Sequence, residues 1–162
     1  MKRLSTLFGA VAAIALFAMM LLTFADVVSR KFLSGSITGA VELTELGMLT
    51  MIFFALPLAS LSGEHIVFDL LDRVLPAALL RWQQALAHTL TGLVFAGAAT
   101  VVWQRADRTR SMGDVTATLE IRLEPYHRMV ALLLAVTVLV HVALALRHAL
   151  RAPPAHSAGA AR

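Results

Sequence analysis

The sequence predicts an all-α integral membrane protein, with four transmembrane helices in an up-down bundle and a short interfacial amphipathic helix between the second and third spans. Three observations carry that expectation. Four apolar stretches, residues 4–25, 45–61, 84–104 and 129–146, meet or approach the length of a membrane span. A helix rising about 1.5 Å per residue needs about 20 apolar residues to cross roughly 30 Å of hydrocarbon. The composition is 59% hydrophobic and only 15% charged, against about a quarter charged in soluble domains, and the mean hydropathy is +0.78. The polar residues that remain cluster at the edges of the apolar stretches.

The first span opens with Met1-Lys2-Arg3. Its apolar run exceeds the roughly 7 to 15 residues of a signal-peptide core and lacks a clear small-x-small cleavage site, so it reads as an uncleaved signal anchor. Lys2 and Arg3 then stay in the cytoplasm, and four spans return the C-terminus to the same side. The cations do not discriminate: Lys2, Arg3, Arg73, Arg81, Arg147, Arg151 and Arg162 on one side equal in number Arg30, Lys31, Arg105, Arg108, Arg110, Arg122 and Arg128 on the other. The orientation therefore rests on the first helix.

The second span enters through Glu42 and Glu45, three residues apart and so on one helix face, and contains Pro57, which is expected to bend it. In 66–75, Asp69, Asp72, Arg73 and Pro76 follow i, i+3, i+4, i+7 while the apolar residues point elsewhere, the pattern of a helix lying on the membrane. Trp82 and Trp103 bracket the third span as interfacial rings do, and Tyr126 stands at the start of the fourth. Gly92 and Ala96 in the third span, and Gly9 and Ala13 in the first, have the small-xxx-small spacing that lets a neighbouring helix approach closely. Short connections predict that consecutive helices are neighbours. Residues 1–151 read as one four-helix membrane domain, and 152–162, with Pro153, Pro154 and Gly159 and no apolar period, as a disordered cytoplasmic tail.

Composition excludes several classes of chemistry. With no cysteine the chain holds no disulfide, thiolate-ligated zinc, iron-sulfur cluster or cysteine nucleophile. The formal charge of +4 is scattered among short loops and not gathered in a stripe, which points to lipid head groups and away from nucleic acid. No Gly-x-Ser-x-Gly, His-Glu-x-x-His, Walker loop or dinucleotide fingerprint is present, so no enzymatic activity and no cofactor are expected. His65 has no second ligand at metal-binding spacing. Inside the apolar runs the ionisable residues are His88 and His141. Antiparallel third and fourth helices would set these two at similar depth, where they either ligate a b-type haem from both sides, as in an electron-transfer subunit, or hydrogen-bond to neighbouring helices and water. Glu42 and Glu45 read either as an ion site or as salt-bridge partners of Arg30 or an external cation.

Several ordered motifs bear a family likeness. Asp26-Val27-Val28-Ser29-Arg30 closes the first span, acidic residues in 39–45 lead into the second, and Gly63-Glu64-His65-Ile66-Val67-Phe68-Asp69-Leu70-Leu71 is followed by Leu75-Pro76. Together these resemble the small membrane subunit (DctQ-like) of tripartite ATP-independent periplasmic (TRAP) transporters, over residues 5–147. Here Ala117 and Arg122 stand where that family usually has prolines, and Phe68 replaces a small aliphatic residue. The resemblance implies a multi-pass protein of the bacterial inner membrane that works with a large TRAP membrane subunit and a periplasmic solute-binding protein. The system would import an organic acid, such as a C4-dicarboxylate or sugar acid, on an ion gradient. It implies a non-catalytic scaffold, with Arg30, Glu42, Glu45, His65 and Asp69 as the residues that hold the partner or the loops.

Overall fold

The computed structural model describes residues 2–32, 34–62 and 77–150. They form four helices, α1 (Lys2–Phe32), α2 (Ala40–Ser62), α3 (Ala77–Met112) and α4 (Glu124–Leu150), each long and apolar enough to cross a membrane. The all-α, four-helix expectation holds. The helix expected at 66–75, with His65 and Asp69 beside or within it, and the tail 152–162 lie outside the described residues.

Every helix extends beyond its apolar run. The third does so most: its 36 residues span about 54 Å, and it continues past Gln104 through Arg105-Ala106-Asp107-Arg108, residues of high or tolerable helix propensity. Ala106 and Thr109 are buried there, so packing as well as propensity keeps the helix wound above the apolar zone. Trp82 and Trp103, both exposed on α3, are separated by about 31 Å of helix, close to the thickness of hydrocarbon.

The helix ends follow local chemistry. At the end of α3 the carbonyl of Thr109 accepts from the N–H groups of Gly113 and Asp114, and Gly113 adopts φ 70°, the left-handed cap that glycine takes without steric penalty. Pro125 sits in the first turn of α4, where a missing N–H leaves no helical bond unmade. Pro57 lies inside α2 and is fully buried.

Side-chain pairs give the packing. Phe8 meets Phe54 edge to face at 5.7 Å, Gly9 faces Leu58 and Gly47 faces Met19, so α1 and α2 are antiparallel. His88 meets His141, Trp103 lies under Arg128 and Arg110 reaches Glu124, so α3 and α4 are antiparallel too. The remaining principal interface is between α2 and α4, which run parallel and join through Ser60 and His141. The order across the layer is therefore α1, α2, α4, α3. Consecutive helices are neighbours where the connection is short, at 33–39 and 113–123; residues 63–76 make a longer connection, and α2 turns its second face to α4. Burial follows this order, reaching 33% of the apolar window of α4 against 6% for α1 and for α3. Gly9 and Gly92 lie at helix contacts, whereas Gly97 faces open space.

Six hydroxyls within the spans are satisfied along their own helices. Thr23, Thr44, Thr50, Ser60, Thr89 and Thr137 each donate to the carbonyl four residues earlier, the back-bonding that lets a hydroxyl sit in lipid without a water partner.

The 34–39 and 113–123 segments share one face of the layer and touch there. Gly39 adopts φ 79° against Leu119, and a Cβ on it would come within 2.4 Å of Leu119 Cγ. Gly39→Ala is expected to destabilise the fold by about 1–2 kcal/mol from its left-handed backbone, plus the displacement of Leu119. Gly97→Ala, with nothing within 4 Å, should be neutral or slightly stabilising in a helix interior. Thermal unfolding of the two variants in detergent, monitored by helical circular dichroism, checks the contrast.

Candidate functional site

Three groups of polar residues stand out in the described structure: those on the face carrying the two loops, those at the α3–α4 junction above Trp103, and a pair of histidines, one buried and one half-buried, near the opposite face. On the loop face, α1 ends in a buried carboxylate. Asp26 Oδ1 accepts from the Ser36 hydroxyl and from the Ile37 N–H, both at 2.8 Å, while Oδ2 takes the Arg30 guanidinium one turn along. The α1–α2 loop is thus folded over the end of α1 by one side chain.

Glu42 does the same for the other loop. From the first turn of α2 its two oxygens accept the backbone N–H groups of Thr118, at 2.6 Å, and Leu119, at 3.0 Å. A carboxylate receiving two adjacent amides makes a charge-assisted pair stronger than neutral bonds. The loop it holds is a small closed hairpin, with Val115 and Arg122 bridged antiparallel, Thr116 N–H donating to the Ile121 carbonyl and Ile121 N–H to the Thr116 hydroxyl. Arg30 thus pairs with Asp26, and Glu42 binds backbone; salt bridges between Arg30 and Glu42 or Glu45 are not formed. Glu45 is exposed and makes no ion pair among the described residues. It lines a shallow cavity of about 260 Å³ with Asp26, Arg30, Thr44 and Met48.

At the α3–α4 junction Arg128 ties the helices together. Its guanidinium reaches Glu124 at 3.0 Å and Asp107 at 3.8 Å and lies 6.0 Å over the Trp103 ring, within cation–π range.

Near the opposite face, His141 is fully buried. Its Nε2 stands 3.3 Å from the Ser60 hydroxyl, its Nδ1 3.2 Å from His88 Nδ1, and its ring stacks on Phe95 at 5.6 Å. This arrangement links α2, α3 and α4. It does not suit a haem held between the two rings, because metal–imidazole bonds of about 2.0–2.1 Å on opposite faces of a porphyrin separate the nitrogens by about 4 Å. The two nitrogens stand instead at hydrogen-bond distance. Among the described residues no group of three or more His, Asp or Glu is placed to hold a metal ion.

Of the residues singled out by sequence, Arg30 and Glu42 each engage a partner within the chain, Glu45 stands free on the same face, and His65 and Asp69 lie outside the described residues. Sequence reasoning passed over Asp26 as a loop anchor, although its i, i+4 spacing to Arg30 is readable. It had no means of finding Thr118 and Leu119, which contribute only backbone N–H groups.

A family model described as tripartite ATP-independent periplasmic transporters, DctQ component, matches residues 19–151. No curated protein and no solved structure matches the chain.

Removing the carboxylate of Glu42 exposes two amides. In Glu42→Ala, hydrogen exchange at Thr118 and Leu119 should accelerate by about 10- to 100-fold, the equivalent of roughly 1.5–3 kcal/mol for bonds to a charged group. Glu45→Ala should leave both rates unchanged. Exchange read by mass spectrometry in detergent distinguishes the two.

Proposed function

Because the chain belongs to the DctQ component family of tripartite ATP-independent periplasmic transporters, we propose that it is a non-catalytic membrane scaffold for the large transport subunit of such a system. One observation carries this reading. The span hydroxyls described above bond along their own helices, and His141 bonds to Ser60 and His88, leaving little polar lining along which a charged solute could cross. The protein instead presents apolar flanks. Leu7, Ile14, Phe17, Met20 and Phe24 on α1, and Leu86, Leu90, Leu93, Val94 and Val101 on α3, are exposed, which suits cover by lipid on one side and by a larger membrane partner on the other.

On this reading the large subunit carries the solute path. A periplasmic binding protein delivers the organic acid, such as a C4-dicarboxylate or sugar acid, and an ion gradient drives uptake. The small subunit enlarges the fixed frame. Residues 1–151 form its membrane unit, both termini lie in the cytoplasm, and the 33–39 and 113–123 loops face the periplasm. Arg30 and Glu42 shape that face, Glu45 stands on it ready for a partner, and His65 and Asp69 serve the cytoplasmic connection.

Two measurements test the proposal. Coexpressed with the large subunit, the chain should co-elute with it from a detergent column, and vesicles containing the chain alone should accumulate no labelled dicarboxylate under an imposed sodium gradient. Uptake by the chain alone would overturn the scaffold role. The absence of native cysteine allows a clean orientation assay: Ser111→Cys should react with a membrane-impermeant maleimide in intact cells, and protection there would reverse the proposed sidedness.

A further inference from the structure

Beyond the scaffold role, the α3–α4 junction encloses a cavity of about 620 Å³, lined by the end of α3, the 113–123 hairpin and the start of α4. Its cationic lining is Arg110, Arg122 and Arg128, against the carboxylates of Asp114 and Glu124. Arg128 and Glu124 already pair at 3.0 Å, and Arg110 stands 4.0 Å from Glu124. Arg122 makes no ion pair among the described residues and is exposed beside the opening. Two buried donors also lack a hydrogen-bond partner: the hydroxyl of Thr109, a residue only 2% exposed, and Nε of Arg128.

Buried donors without a partner are uncommon in folded proteins and call for a ligand or a water. Here both belong to residues lining one cavity, together with guanidiniums in excess over carboxylates. Guanidinium forks match the oxygen geometry of phosphate, and a hydroxyl donor completes such a site. The position along the membrane agrees. Thr109 lies six residues beyond Trp103, about 9 Å further along the helix axis, and the headgroup layer extends about 5–8 Å beyond the hydrocarbon. A site at that boundary is open both to lipid phosphates and to anions in solution.

We propose that this cavity binds a phosphate-type oxyanion through Arg122, Arg110, the Thr109 hydroxyl and Arg128 Nε, supplied either by a phospholipid headgroup or by the aqueous phase. The site stands apart from the transport reading and does not require it. Arg128 retains its pairs to Glu124 and Asp107 and contributes the nitrogen they leave free. Ligand binding would clamp the α3–α4 hairpin from outside the helix interface.

The test uses the purified full-length chain, stripped of lipid in detergent. Inorganic phosphate is titrated while Trp103 fluorescence is followed, and dioctanoyl-phosphatidylglycerol is added separately with retention read by native mass spectrometry. Binding of at least one probe is expected, weakened about tenfold or more in Arg122→Ala and several-fold in Thr109→Val. Arg108→Ala, which alters an exposed cation on α3 outside the cavity lining, should bind as the parent does, and circular dichroism checks that all variants keep their helices. Retention of the lipid alone assigns a headgroup, and binding of phosphate assigns a soluble anion; both support the site. If neither probe binds, or if Arg108→Ala weakens binding as much as Arg122→Ala, the site does not exist and the cavity holds only water.

Discussion

Hydrocarbon offers no hydrogen-bond partner, so each polar group carried into the membrane has to be answered from within the chain. That requirement organises the four helices. Span hydroxyls turn back on their own carbonyls, His141 is held between Ser60 and His88, and Asp26 at the end of α1 gathers Ser36, Ile37 and Arg30 around its two oxygens. The interior consequently needs few specific polar contacts between helices. It can rely on small residues such as Ala12, Ala85, Ala106 and Ala131, all buried, which let backbones come close where lipid gives no hydrophobic drive between helices.

The same requirement relaxes where the helices emerge, and there the chain becomes architecturally specific. Two carboxylates capture backbone N–H groups of a neighbouring loop, Asp26 that of Ile37 and Glu42 those of Thr118 and Leu119. Because Glu42 starts α2 while the loop it holds joins α3 to α4, this contact couples the two helical hairpins at their outer ends. Ser60 and His141 couple them near the other end. The layer is thus fastened at both extremities and packed by small and apolar residues between.

An order with α4 and α2 inside and α1 and α3 outside leaves broad apolar flanks. For a member of a family whose transporters have several parts, such a shape suits a fixed element beside a larger partner better than a conduit. The polar features with spare bonding capacity, Glu45 and the cavity around Arg122, both lie on the loop face or beside it.

Much of this was determined by sequence alone. Apolar runs of spanning length, with polar residues at their borders, dictate the number of helices, because span length is set by bilayer thickness and needs no tertiary information. The ordered motifs, above all Gly63-Glu64-His65-Ile66-Val67-Phe68-Asp69-Leu70-Leu71 together with Asp26-Val27-Val28-Ser29-Arg30, carried the family resemblance. Helix ends were less legible: hydropathy stops at Gln104, whereas backbone propensity and the burial of Ala106 and Thr109 carry α3 on to Met112. Only the tertiary structure decided that α2 packs on α4, that Glu42 binds amides of the distant hairpin, that His88 and His141 meet at hydrogen-bond distance, and that a guanidinium-lined cavity forms at the α3–α4 junction. Those outcomes depend on which faces meet and on backbone groups that every residue possesses. Side-chain identity along one strand of sequence holds no record of either.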